Sequence, residues 1–484
     1  MFDFSSQVQA LPDGRIYPQH SAKKIFDAVF LGAACQFRSV HRMERACQPG
    51  GALSRRIGPL SEDAIGYALE RYDSQAVFRL GCEVARQLKR NGVFRSYWSR
   101  GLVVAAVDGI EICNSFVRFC DDCMERKVTR TVEGELREEV QYYHRLCAVT
   151  VVSSAFPIPL GIRFQKNGEN EVACSLDLLR ELTEQLGRRF VDVLVADALY
   201  LQAPFVKEIE RLGLDWVSNL KENQPELLTE SERVLSAVPA EKMDDSLQLW
   251  HAPEVYWPVA ERSVRVVKTV RQQPVRRLRV QRDEQGEKHA VKETVVQPST
   301  NFCASNLELG SIPPVFIHQL ARSRWIIDTD VFQTLTTEAH LKRPSVHQGR
   351  AKALIVLTMI RVLAFTLTLV FFFRQVRSHF RKCPSVFATW HKSWLTGSLF
   401  CKWTPAEAAH KTDPSAPLSL APGFPSPERF PQLFRLPSEL FFLRQIRRPI
   451  KKGSKPHEKQ PLTLLCMRPC ETAVGEGSTM AEVE

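Results

Sequence analysis

Leu102-Val103-Val104-Ala105-Ala106-Val107-Asp108-Gly109 is the stretch from which the rest of this chain can be read. Six apolar residues in a row, with no polar alternation, fit a strand buried on both faces of a sheet. An acid placed directly after such a run has to leave the core for a cleft, because an unpaired carboxylate is too costly to bury. The pattern recurs 89 residues later, where residues 191–196, apolar apart from Asp192, read as a second strand that ends at Asp197. Residues 147–152, 159–164 and 216–220 read as further strands. Between them a helix from Ser175 carries Leu176, Leu179, Leu182 and Leu186 on one face and ends at Gly187. Strands alternating with helices predict an α/β sheet with its functional groups at strand ends. Two acids meeting at one sheet edge make a hard-oxygen cradle for a divalent cation such as Mg²⁺.

A third acid comes from a different context. Arg322-Ser323-Arg324-Trp325-Ile326-Ile327-Asp328-Thr329-Asp330-Val331-Phe332 reads as helix, and the i,i+4 spacing puts Arg324 and Asp328 on one face. A surface ion pair would explain those two residues, but not the aromatics beside them. Glu338 is another acid within reach by sequence, ten residues beyond Asp328 and nearly three helical turns away.

The flanking regions differ in texture. Residues 21–92 show helical spacing, with Ser61-Glu62-Asp63-Ala64 as a helix entry and Lys89-Arg90-Asn91-Gly92 as a basic helix exit. Residues 223–314 carry Tyr256-Trp257-Pro258, a Val/Arg alternation and a turn signal at Gln272-Gln273-Pro274, which together suggest a β-rich insertion. Within it Arg262, Arg265, Lys268, Arg271, Arg276, Arg277, Arg279 and Arg282 occur without an intervening acid. Strand alternation would gather much of this charge on one face, able to follow a DNA backbone or simply to keep an edge strand from aggregating. Trp250, Tyr256 and Trp257 flank the region, as core residues or as stacking platforms. Residues 353–373 are apolar apart from Thr358, Arg361, Thr366 and Thr368, long enough to span a bilayer; the charge near the middle favours a helix buried in protein. From 403 to 484, 12 of the 29 prolines fall in 82 residues, the composition of a disordered tail.

The charge of +11, from 65 Lys and Arg against 54 acids, suits a polyanionic partner without requiring one. The 13 cysteines are scattered and the opening Met1-Phe2-Asp3-Phe4 runs into polar residues, so a reducing compartment without a disulfide framework is expected. Cys120-Asp121-Asp122-Cys123 and His144-Arg145-Leu146-Cys147 offer four soft ligands in CxxC and HxxC spacing, a candidate structural Zn²⁺ site. The plainer account makes Cys147 a core residue and His144 a DNA contact.

Taken in order, Val107-Asp108-Gly109, Val195-Ala196-Asp197-Ala198-Leu199-Tyr200, Leu220-Lys221-Glu222-Asn223-Gln224 and Arg324-Trp325-Ile326-Ile327-Asp328 resemble the ribonuclease H-like DDE transposases of bacterial insertion sequences, and most closely the cut-and-paste group called insertion-sequence family four. The likeness runs over about residues 63–380. In the third motif Ala321 stands where the family has Tyr, Asp328 where it has Glu, and Leu335 where it has Lys. Shortening Glu to Asp withdraws the carboxylate by about 1.5 Å, so the helix bearing it has to sit closer to the sheet.

The resemblance implies an α/β protein with five parts. These are a helical N-terminal domain at 1–98 for DNA-end binding or dimerisation, a ribonuclease H-like catalytic core at 99–222, a β-rich basic insertion at 223–314, the helical C-terminal part of the core at 315–402, and a Pro-rich tail at 403–484. It implies transposon-end cleavage and strand transfer through two Mg²⁺ (or Mn²⁺) ions about 3.5–4 Å apart, held by Asp108, Asp197 and Asp328. Arg324, Lys221, Arg276, Arg277 and Arg279 would contact double-stranded DNA. A homodimer that pairs two DNA ends, a cytoplasmic, nucleoid-associated location and no membrane partner are expected with it. The rival readings are a decayed transposase that binds ends without cutting, a metal-dependent nuclease without strand transfer, and a DNA-binding module using the basic insertion with a zinc knuckle.

Overall fold

Serine caps open the N-terminal helices. After α1 (Phe4–Gln9), the hydroxyls of Ser21, Ser39 and Ser61 accept the backbone N–H three residues on, each at 3.2 Å, and start α2 (Ala22–Ala34), α3 (Val40–Cys47) and α4 (Glu62–Arg71). Asp73 caps α5 (Ser74–Arg90), which ends at Asn91 and a left-handed Gly92, as its basic exit predicted. The computed structural model describes residues 4–373, apart from 133, 283–287, 309, 311, 344, 345, 347, 348 and 350. The Pro-rich segment at 403–484 lies outside the described residues.

A ten-stranded mixed sheet follows. Its strands are β1 (Val104–Ser115), β2 (Met124–Val132), β3 (Glu135–Val151), β4 (Ile158–Phe164), β5 (Val193–Ala196), β6 (Asp215–Leu220), β7 (Glu241–Asp244), β8 (Leu247–Trp257), β9 (Arg262–Arg282) and β10 (Lys288–Ser305). The lateral order is β2-β3-β1-β5-β6-β10-β9-β8-β7, with β4 also on β3. The pairs β1–β5 and β5–β6 are parallel, and the remaining pairs are antiparallel. Helix α6 (Glu171–Leu186) connects β4 to β5 and packs on β3 and β4, and α7 (Ala203–Arg211) connects β5 to β6. After α8 (Pro225–Ser236) and the β7–β10 strands, α9 (Pro314–Ser323) packs on β5, β6, β9 and β10. A π-helical turn at Ile327–Phe332 and the short α10 (Gln333–Thr337) extend it.

Two sequence expectations change here. The strand after Leu102 does not stop at Asp108 but continues to Ser115, because Ile110 to Ile112 find antiparallel partners on β3. What ends near Asp108 is the neighbour: β5 pairs with β1 only as far as Ala106↔Val195, and the sheet opens there. The turn expected at Gln272-Gln273-Pro274 is absent. Pro274 pairs in register with Val296 inside the 21-residue β9. It is tolerated because β8 pairing ends at Leu247↔Arg271, leaving β9 partnered on one side only. The strands of the 223–314 stretch extend the core sheet, since β10 pairs with β6 from Phe302↔Leu220 to Ser305↔Val217.

The apolar 353–373 segment forms α11 (Lys352–Phe371), packed against α2, α4 and α5. It is long and apolar enough to cross a membrane by length and composition, yet it is mostly buried within the protein. Burial pushes the Arg361 guanidinium down to about 10.

Candidate active site

The β1–β5 register fixes the first two acids. Ala106 lies opposite Val195, the last parallel pair, and Asp108 and Asp197 each follow two residues beyond it. Asp197 caps the short 3-10 turn Ala198–Tyr200, its Oδ1 accepting the Leu199 N–H at 2.9 Å. The neighbouring β6 end holds this turn in place. The Ser218 hydroxyl donates to the Asp197 carbonyl at 2.7 Å, the Asn223 amide donates to the Ala198 carbonyl at 2.5 Å, and the Gln224 amide to that of Leu201 at 2.8 Å. Gln224 in turn accepts from the indole of Trp257, a wholly buried residue edge-on to Trp216. The Leu220-Lys221-Glu222-Asn223-Gln224 motif is therefore chiefly a bracket for the Asp197 loop, and the exposed Lys221 is free to face outward.

The third acid arrives from the helix. Arg324, itself buried, places one Nη1 at 2.5 Å from Asp108 Oδ2 and 3.1 Å from Asp328 Oδ2. Those two carboxylate oxygens consequently lie within about 5.6 Å of each other. Asp328 sits in the π-helical turn, where the Gln333 N–H reaches back to the Asp328 carbonyl; such turns are frequent at functional sites. Glu338 is elsewhere, accepting from Gln36 near the end of α2.

Electrostatics ties the three acids together. The Asp108 carboxyl is raised to about 7, first by burial and then by the charge of Asp328. Arg324 and the Gly109 N–H oppose the rise, and Asp197 adds to it. A cluster of carboxylates whose central member resists ionisation accommodates a cation, and here the Arg324 guanidinium occupies that role. The donor set, oxygen only and partly open to solvent, fits a hard divalent ion.

One element behind the site gave no signal in the sequence. Glu171, the first residue of α6, lies so close to Gly109 that a Cβ there would meet its carboxyl carbon at 2.5 Å. The Tyr200 hydroxyl donates to Glu171 at 2.9 Å, and Arg145 stands 3.7 Å away. The Glu171 carboxylate therefore packs directly on Gly109, next to Asp108, with Tyr200 hydrogen-bonded behind it. Trp325 is exposed, its ring 4.8 Å from the Arg324 guanidinium carbon.

The four soft ligands separate. Cys120, Cys123 and His144 come together in the interior, but Cys147 does not join them; its thiol donates to the Glu171 carbonyl on the α6 side. The reason is the strand period: His144 and Cys147 are three residues apart on β3 and so point to opposite faces. Of the basic residues on β9, Arg265 is buried and donates to the carbonyls of Leu307, Glu308 and Ile312, and Arg262 pairs with Glu210. Arg276, Arg277 and Arg279 are exposed, far along the β9–β10 ribbon, with Arg279 4.0 Å from Glu293. Trp257 is core, whereas Tyr256 is exposed.

Residues 131–359, just under half of the chain, match the family described as Transposase DDE domain. The matched stretch contains Asp197, Lys221, Arg324 and Asp328 and begins after Asp108. No curated protein matches the chain significantly. Among solved structures, the cryo-EM structure of the piggyBac transposase synaptic complex with hairpin DNA covers 85% of this chain and 83% of its own, at 12% identity and a TM-score of 0.33. The match to a transposase DDE domain, with Asp197 and Asp328 inside it and Asp108 before it, makes this chain a DNA-cleaving and DNA-transposing enzyme.

Proposed function

We propose that this transposase works by the cut-and-paste route of bacterial insertion-sequence family four, cleaving transposon ends and joining them to target DNA. Asp108, Asp197 and Asp328 would hold its Mg²⁺ (or Mn²⁺). The observation that carries this reading is the Arg324 guanidinium set between Asp108 and Asp328, with Asp197 near enough to help raise the Asp108 carboxyl. When bound, the ions would make a phosphodiester more electrophilic and its attacking water or 3′-OH more acidic. The order β4-β3-β1-β5-β6, with the last three strands parallel, supports a ribonuclease H-like core.

The protein's own groups then have distinct tasks. Asn223, Gln224 and Ser218 hold the backbone of the loop that carries Asp197, and Glu171 packs on Gly109 next to Asp108. Arg324, held by carboxylates here, would exchange them for a DNA phosphate, and Lys221 would meet the same backbone. Arg276, Arg277 and Arg279 on the ribbon would extend the contact along double-stranded DNA. A homodimer pairing two ends, in the bacterial cytoplasm and at the nucleoid, belongs to the same proposal. So does the division into parts at 98, 222, 314 and 402.

The test is Mg²⁺-dependent nicking of DNA carrying the element's ends. Asp108→Asn should lose nicking and retain DNA binding. Nicking that survives this change would refute the assignment of Asp108, and loss of binding along with it would point to a fold defect.

A further inference from the structure

We infer that Cys120, Cys123 and His144 form a structural zinc site that ties the base of the β2–β3 hairpin to the start of α11. The three side chains come from two elements, the turn between β1 and β2 and strand β3, and all three are buried. Their donor atoms form a small triangle: Cys120 Sγ to Cys123 Sγ 3.7 Å, and His144 Nε2 to the two sulfurs 3.2 and 3.4 Å. Zn–S bonds of about 2.3 Å and a Zn–N bond of about 2.0–2.1 Å at tetrahedral angles require edges of about 3.8 Å between sulfurs and about 3.6 Å from nitrogen to sulfur. The triangle meets those edges within a few tenths of an ångström. A disulfide would need the sulfurs about 2.05 Å apart. The Cys120 N–H donates to Cys123 Sγ at 3.3 Å, the kind of contact that stabilises a thiolate.

The surroundings say what the ion would do. Ala351 packs on the two cysteines, the Asp121 N–H donates to the Gly349 carbonyl at 2.8 Å, and the Ala351 N–H donates to Asp122 Oδ2 at 2.8 Å. The CxxC turn therefore grips the entry of α11, while His144 pairs in register with Ile112, four residues along β1 from Asp108. An ion here fixes the hairpin and the long helix to the strand that bears the first catalytic acid. Its three donors are buried and include none of the three acids, so the role is structural, with a fourth donor completing the tetrahedron.

Elemental analysis of the full-length chain purified without chelator tests the assignment. About one zinc per chain is expected, lost in Cys120→Ser, Cys123→Ser and His144→Asn and kept in Cys147→Ser. Should the three variants fail to fold, the wild type still decides. Stripping zinc with a chelator should expose two thiols to a thiol reagent and speed hydrogen exchange at the Asp121 and Ala351 amides, and added Zn²⁺ should reverse both. Wild-type protein that takes up no zinc from solution would overturn the inference. A Cys120–Cys123 disulfide found by mass spectrometry, equal zinc loss in Cys147→Ser, or Asp121 and Ala351 exchange that ignores the metal would each do the same.

Discussion

The core half of the large sheet and its outer ribbon are built on opposite terms. Strand β5 is four residues long, wholly buried, and gives way at once to Asp197. Strand β9 is 21 residues long and beyond Arg271 is paired on one side only, with Arg276, Arg277 and Arg279 in solvent. A short strand between two parallel neighbours is rigid, so an acid at its end holds position to the fraction of an ångström that a shared cation demands. A two-stranded ribbon with charged faces has little core to hold it, which suits contact with a polyanion whose charges repeat along its length. In the proposed function, chemistry falls where the sheet is stiff, and reach where it is not.

The largest effect should come from the third acid, on the stiff side. Asp328→Ala should abolish metal-dependent nicking of end-containing DNA, and Asp328→Glu should lower it, because a longer side chain overfills a site where Arg324 already contacts both carboxylates. Undiminished cutting by the Ala variant would move the third ligand elsewhere. Glu338 is a poor substitute, being engaged by Gln36 near α2. An increase on Asp328→Glu would mean that the shorter acid is a lesion and that the π-helical turn does not compensate for it.

That contrast also governs what the sequence disclosed. The apolar runs before Asp108 and Asp197 were legible because a strand buried on both faces leaves no room for polar residues. Ser61 and Gly92 marked helix ends through local backbone chemistry alone. The β2–β3 hairpin went unseen: its residues are largely polar and exposed, with Lys127 and Arg130 reaching diagonally across the pair to Glu138 and Glu139, so no hydrophobic period exists to read. The length of β9 was hidden by Pro274, whose meaning depends on which flank is paired. The partition of His144 and Cys147 was available in principle, since a strand assignment alone places i and i+3 on opposite faces. Glu171 behind Gly109 was not, because that contact joins residues 62 apart in sequence through the packing of α6 on the sheet.

A smaller effect belongs to the ribbon. Reversing Arg276, Arg277 and Arg279 to Glu should weaken DNA binding and flatten its salt dependence, by about 0.9 in the log–log slope for each phosphate that is no longer neutralised. Nicking at saturating DNA and low salt should stay near the wild-type rate, because the acids are untouched. An unchanged slope would show that the ribbon faces away from DNA. A proportional loss of nicking at saturation would show instead that the ribbon is part of the rigid site, and the contrast between the two halves would fall.

The smallest effect, and the one that probes the acid cluster most directly, is its response to pH. Without metal, the Asp108 carboxyl is raised to about 7, against about 3.9 for an ordinary aspartate, chiefly by burial and by Asp328. The sign follows from linkage. A folded-state value above the unfolded one gives stability that is fully present below about pH 4 and lost as pH rises through about 7. A divalent ion competes with the proton on that same carboxyl. Its affinity should therefore rise with pH, by up to tenfold per unit, and level off above about pH 7. Asp328→Asn removes the neighbouring charge that helps raise Asp108, so the levelling point should move to lower pH even as overall affinity drops. Calorimetry with Mg²⁺ or Mn²⁺ in two buffers of different ionisation heat reads both the affinity and the proton released. Affinity that does not change between about pH 5.5 and 8 would mean that Asp108 is already ionised in the metal-free protein. Arg324 would then be neutralising the cluster more completely than the geometry implies, and replacing Arg324 by Gln, not Asp328 by Asn, would be the change that moves the curve.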